Sequence, residues 1–329
     1  MLTKTAVTDA QVAALVAPLG AVARVEPLPG GLFASVLRAD LADGRRVVVK
    51  VTGADTSRLL RYEHGVLGTE AAVDRLAHAA GLPVPRVLRH DTTREHVDGD
   101  ALVVTFLDGD LWSTADLDAA ATRRARRALG SFMSRLHAIT GGRFGYPAPE
   151  SRLGADSWPD AVTAMVRAVA DDAARWGVDL PSGRLLDAVA RYRDLLADVT
   201  TPRLVHADLW PGNVLVDPGG AVVGVLDAER ALWGDPLFEL VGADQLGVGA
   251  VDADLLAGYR AAGGDLGVGD GALGSGDPDA WTRLRLYRAY FACLLVVEVV
   301  PRAYRGDWVA AHERAARANL GRMLAELGA

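Results

Sequence analysis

The sequence predicts an α+β chain with a small, sheet-rich N-terminal lobe over residues 1–107 and a larger, mostly helical C-terminal lobe over residues 108–329. Three observations carry this. Residues 35–41 and 46–52 are β-type runs joined by a connection that contains Asp43-Gly44, the pattern of an antiparallel hairpin. Beyond Asp108 the apolar residues recur mainly at helical spacing. Between the two halves, residues 101–107 read as a buried strand that runs into Asp108-Gly109, which marks the junction.

Taken in order, the first element is a short surface helix, because Thr8 and Gln11 form a capping box and Pro18 and Gly20 break the apolar run behind it. That reading displaces a signal peptide. Gly30 and Gly31 open the first hairpin strand, either as an ordinary turn or as a place where backbone closely approaches a ligand. Lys50 alternates with Val49 and Val51 and so points to the opposite face, which is either solvent or the phosphates of a nucleotide. Only Lys4 and Lys50 are lysines among 35 basic residues, which singles out a lysine in mid-strand. Residues 67–80 have helical periodicity, with Glu70 expected in the first turn, where it either favours the helix dipole or pairs with Lys50.

In the second lobe, residues 125–137 form an amphipathic helix that ends on His137, a capping or packing histidine. Helices follow at 158–176 and 185–199, and the closing helices are expected at 280–300 and 308–327. The glycine-rich stretch 264–276 reads as a mobile loop.

Composition bounds the function. The 329 residues, 50% of them hydrophobic, can build one large or two ordinary domains. A net charge of -7 works against a nucleic-acid partner, which would need a basic face, and suits a cationic small molecule. The single Cys293 lies in an apolar run and reads as a core residue rather than a nucleophile. Residues 289–300 are too few for the roughly 20 that span a bilayer. The expectation is a cytoplasmic protein without a membrane segment.

The chemistry concentrates in residues 204–236. His206, Asp208 and Asn213 follow the order H-x-D-x-x-x-x-N, the apolar run 214–216 comes next, and Pro218 to Gly220 turns the chain into a second run that exits at Asp227. Such spacing suits a catalytic loop, a hairpin and a metal-binding aspartate in phosphoryl transfer.

The stretch HADLWPGNVLV followed by VLDAERALWGDP resembles the aminoglycoside phosphotransferase family, small-molecule kinases with a two-lobed protein-kinase-like fold. The resemblance implies that Asp208 orients or deprotonates the acceptor hydroxyl, and that Asn213 and Asp227 hold Mg2+. It implies that Lys50, held by Glu70, meets the phosphates of ATP or GTP, that the loop through Gly30, Gly31 and Ser35 covers them, and that the backbone of Thr105, Phe106 and Leu107 meets the purine. His206 is expected to tie the catalytic loop together. Trp210, Glu229, Asp235 and Glu298 are candidates to meet the acceptor. Ala207 and Ala228 depart from the family pattern, which has glycine and an aromatic residue there, and they weaken any transfer of specificity.

The expected activity is therefore an ATP- or GTP-dependent O-phosphotransferase for a small molecule, an aminoglycoside-like or other amine-bearing antibiotic or sugar. The alternatives are a metabolic kinase for choline, a ketosamine or an amino sugar, and a kinase-like binding module without catalysis. A protein kinase is disfavoured because D-F-G and A-P-E signatures are missing. The oligomeric state is not legible.

Overall fold

The computed structural model describes residues 4–28 and 33–329. After α1 (Asp9–Val16), the strands β1 (Val22–Pro27), β2 (Ser35–Leu41), β3 (Arg46–Gly53), β4 (Val87–Asp91) and β5 (Gly99–Thr105) form an antiparallel sheet in the order β1-β2-β3-β5-β4. Alternation along β3 settles its two faces. Val47, Val49 and Val51 pack with Val12, Leu15 and Val16 of α1, while Val48 faces the other side with Leu67, Ala71, Leu102 and Val104. Leu67 and Ala71 belong to α2 (Val66–Ala79), so Lys50 emerges on the α2 side. Glu70 falls in the second turn of α2, not the first, so the helix dipole does not account for it.

The chain then builds β6 (Asp110–Leu111), α3 (Ala119–Leu136), β7 (Phe144–Gly145), β8 (Gly154–Ala155), α4 (Trp158–Trp176), α5 (Ser182–Arg191) and α6 (Arg193–Ala197). The single helix expected at 185–199 is thus two, broken at Tyr192, which caps the one and starts the other. Next come β9 (Arg203–Val205), the hairpin β10 (Val214–Val216) and β11 (Val222–Val225), and β12 (Leu232–Gly234). Four helices close the chain: α7 (Glu239–Ala243), α8 (Ala253–Ala261), α9 (Pro278–Val297) and α10 (Trp308–Glu326).

One large apolar core unites these helices with the inner face of α2 through Val73 and Ala77. Cys293 lies inside it, and burial pushes its thiol up to about 12, so it stays protonated and unreactive. The stretch 264–276 is anchored rather than free: Val268 is fully buried, and Gly267 and Gly271 accept backbone bonds from Asp277 and Val251. Among the described residues, no helix is long and apolar enough to cross a membrane.

Candidate active site

β9 delivers the chain into the loop 206–213, and β12 pairs back onto β9, so the catalytic loop and the Asp227 loop share a frame. Two residues in that frame have left-handed backbone, Ala207 at φ 63° and Asp227 at φ 61°. An L-residue there costs about 1–2 kcal/mol. Glu239, fully buried on α7, helps to hold the first in place: its carboxylate accepts the amides of His206 and Ala207, each at 2.8 Å. The His137 ring lies 3.2 Å from the same carboxylate and 2.9 Å from the Tyr259 hydroxyl, so His137 packs and braces, as expected. Burial alone would raise the Glu239 carboxyl, but the hydrogen bond and charge of His137, and then His206, hold it below the usual range. α7 touches the loop so closely that a Cβ at Gly242 would sit 2.3 Å from the Ala207 carbonyl carbon, which only glycine avoids. His206 donates through Nε2 to the Leu226 carbonyl at 3.1 Å and so laces the catalytic loop to the residue before Asp227.

Asp208 is 8% exposed. Its Oδ2 accepts from Asn213 Nδ2 at 2.8 Å, its Oδ1 accepts from Gln245 Nε2 at 2.7 Å, and Arg230 Nε lies 4.0 Å from Oδ1. Burial pushes this carboxyl up, and Arg230 and His206 draw it back. Because Asn213 spends its Nδ2 on Asp208, its Oδ1 is the atom left for a cation. Asn213 and Leu226 are bonded through their backbones, which brings Asp227 beside Asn213.

Lys50 Nζ bridges Glu70 Oε1 at 2.5 Å and Asp227 Oδ1. Burial would lower the ammonium's pKa, but the charges of Asp227 and Glu70 push it well above the ordinary value. The Asp227 side chain is 40% exposed, and its second oxygen is not taken by Lys50. Two hard oxygen donors beside an opening fit Mg2+, which keeps waters and phosphate oxygens as its other ligands. Among the described residues no group of three His, Cys, Asp or Glu could hold a metal. More carboxylates crowd the ammonium. Asp74, one turn beyond Glu70 on α2, is pushed up to about 8 by burial and then by Glu70, and its Oδ2 has no partner. Glu229 is likewise pushed up to about 8, by burial and then by Asp227.

The remaining expectations fare unevenly. Gly30 and Gly31 lie outside the described residues. The Ser35 hydroxyl donates to the Thr5 carbonyl at 2.7 Å, which ties the N-terminal segment to β2. The amides of Thr105 and Phe106 already donate to the carbonyls of Arg86 and Arg46, leaving the Leu107 amide as the donor a purine could use. Trp210 is 42% exposed beside Asp208 and keeps a face toward solvent. Asp235 is no acceptor contact, because its Oδ1 caps the Leu237 amide and its Oδ2 takes Arg283 at 2.9 Å and the Tyr287 hydroxyl at 2.7 Å. Glu298, 2% exposed, is likewise spent on Arg230 and Arg302 inside the protein. Glu239, Gly242, Gln245 and Arg230 were not anticipated. A signal existed only for Glu239, a charge inside the apolar run 237–241.

Comparison with known proteins bears on the family and the fold. The model of the phosphotransferase enzyme family, APH, matches residues 24–287. A thermostable mutant of aminoglycoside phosphotransferase APH(4)-Ia, solved with ADP and hygromycin B, is 18% identical with a TM-score of 0.60, over 96% of this chain and 98% of that one. A macrolide 2'-phosphotransferase type I is 21% identical with a TM-score of 0.54, over 96% and 98%. A putative fructosamine-3-kinase from Thermobifida fusca is 22% identical with a TM-score of 0.62, over 93% and 98%. No curated protein matches. At these identities the likeness establishes the two-lobed, kinase-like α+β fold.

Proposed function

The chain belongs to the phosphotransferase enzyme family, and from that premise we propose an ATP- or GTP-dependent O-phosphotransferase that works with Mg2+ on a hydroxylated, amine-bearing small molecule, an antibiotic or a sugar. One observation carries the reading: Lys50 pairs with Asp227 and Glu70, Asp208 pairs with Asn213, and the backbone bond from Leu226 to Asn213 brings the two pairs together. Convergence of all four counts against a kinase-like module without catalysis.

Asp208 is the group that would receive the acceptor hydroxyl's proton or orient its lone pair. Its Oδ2 is fixed by Asn213, while Oδ1 carries only the Gln245 amide, which an entering hydroxyl would join or displace. Lys50 would move from Asp227 to phosphate oxygens and stay held by Glu70. Asn213 Oδ1 and Asp227 would hold magnesium, which offsets charge developing on the transferred phosphoryl group. The Leu107 amide would meet the purine.

On the acceptor, Asp235 and Glu298 are paired inside the protein and so are not available to a polycation, and Glu229, a carboxyl pushed up to about 8 beside Asp227, is the acidic candidate that remains. This favours an acceptor with one amine, as in the choline, ketosamine or amino-sugar alternative, over one with many. A nucleotide-consumption screen with magnesium across aminoglycosides, macrolides, ketosamines, amino sugars and choline tests both. Turnover should fall by about 10²–10⁴ in Asp208→Ala. Full activity in that variant, or no turnover with any acceptor, overturns the reading.

A further inference from the structure

The segment 298–304 lies beyond the part of the chain that the family model matches, yet it grips the start of the nucleotide half. Arg302, 8% exposed, donates through Nε to Glu63 Oε1 at 2.9 Å, and through Nη2 to the same oxygen and to the Tyr62 hydroxyl at 3.0 Å. Its Nη1 meets the Tyr304 hydroxyl at 2.9 Å, and Glu298 Oε2 lies 3.5 Å from Nη2. A second, separate strap runs beside it. Arg58 donates to the carbonyls of Pro301 at 2.8 Å and Val300 at 3.2 Å.

What these straps hold is the turn from which α2 begins. Glu63 uses its other oxygen to accept the Leu60 amide at 2.8 Å, so the residue that Arg302 seizes also closes the turn. The Arg61 amide is fixed in turn by Asp172 at 2.8 Å. α2 then starts at Gly65, whose φ of 76° sets the exit direction and whose missing Cβ would strike Glu150 at 2.7 Å. In the second turn of α2 stands Glu70, the partner of Lys50.

We propose that Arg302, helped by Arg58, is a positioning residue for nucleotide binding: it clamps the C-terminal segment onto the 58–63 turn and thereby sets where α2 presents Glu70 to Lys50. The clamp rests on the assignment of Lys50 to the phosphates. It also reaches the acceptor side, since Glu298 passes from Arg302 to Arg230, whose Nε lies 4.0 Å from Asp208. One segment therefore braces both halves of the site.

The test is calorimetric titration with magnesium AMP-PNP, which requires no acceptor, alongside thermal melts. Arg302→Met alone strands buried Glu63 and should melt early. Glu63→Gln/Arg302→Met removes both charges, and glutamine still caps Leu60, so its melting should largely recover. If Arg302 positions α2, this folded double variant still binds the nucleotide about tenfold more weakly, the scale of coupling carried through a connected element. Arg58→Ala, which buries no charge, should weaken binding about twofold to threefold on the same grounds. Wild-type affinity in the folded double variant overturns the clamp. Lys50→Met keeps the two readings apart: unchanged binding there would instead overturn the assignment of Lys50 to the phosphates.

Discussion

Two buried charge clusters flank the active site, and they are built on opposite rules. Around Lys50, one ammonium faces Glu70 and Asp227 while Asp74 stands one turn beyond Glu70 and Glu229 lies near Asp227, whose side chain is 40% exposed. Around Arg302, the guanidinium groups of Arg230 and Arg302 answer the carboxylates of Glu63 and Glu298, all at most 8% exposed, with the Tyr62 and Tyr304 hydroxyls completing the set. The second cluster sets two guanidinium groups against two carboxylates and is shut off from solvent. The first has more carboxyl groups than cations to answer them, and an open side. A cluster shut off from solvent acts as framework, whereas an open one with spare carboxyl groups suits the proposed cation and phosphates.

The contrast breaks most visibly in the closed cluster. Glu298→Ala takes a carboxylate from Arg230 and Arg302 together, inside the protein. Equilibrium urea unfolding should show a loss of about 3–5 kcal/mol, the cost of an uncompensated buried charge. A loss below about 1 kcal/mol would mean that water reaches this cluster, and the distinction between the two would go.

Lys50→Met puts the same question to the open cluster and should give the opposite answer. Glu70 already sits above the usual carboxylate range because of burial and can take a proton, and Asp227 reaches solvent. The melting temperature should therefore change less than in Glu298→Ala. Function should change far more: turnover is expected to drop about 10²–10³-fold, the effect of deleting one preorganised charge partner. Magnesium AMP-PNP at about a hundredfold excess over its Kd should stabilise the wild type by about 2.7 kcal/mol and this variant by much less.

How legible each cluster was in the sequence follows from the same contrast. The open one was nearly readable, since Lys50 between valines gives its own face and the order of Asp208, Asn213 and Asp227 is local. Both β runs of the first hairpin and the helix at 158–176 also stand where periodicity put them. The closed cluster was invisible, because Glu63 and Arg302 are 239 positions apart and nothing local distinguishes a buried pair from two surface charges. That is why Glu298 and Asp235 read as acceptor contacts when each is neutralised from within. Glu239 was hidden for the same reason, lying 33 positions from the amide of His206 that it holds.

The finest test concerns whether the open cluster crowds together more carboxyl groups than it can ionise. Asp74 titrates near 3.8 when exposed and is pushed up to about 8 in the fold by burial and by Glu70. Between those limits the folded protein keeps a proton that the unfolded chain has released, so stability is lost as pH rises through the window. The amide in Asp74→Asn has no proton to release and escapes that loss. Thermal melts of the two proteins should therefore nearly coincide at about pH 4 and diverge toward about pH 8, with the variant the more stable and the gap constant above. A gap that does not widen across this range would show that Asp74 is ionised without penalty. In that case the carboxylates around Lys50 are already compensated, and the open cluster would be framework like its neighbour.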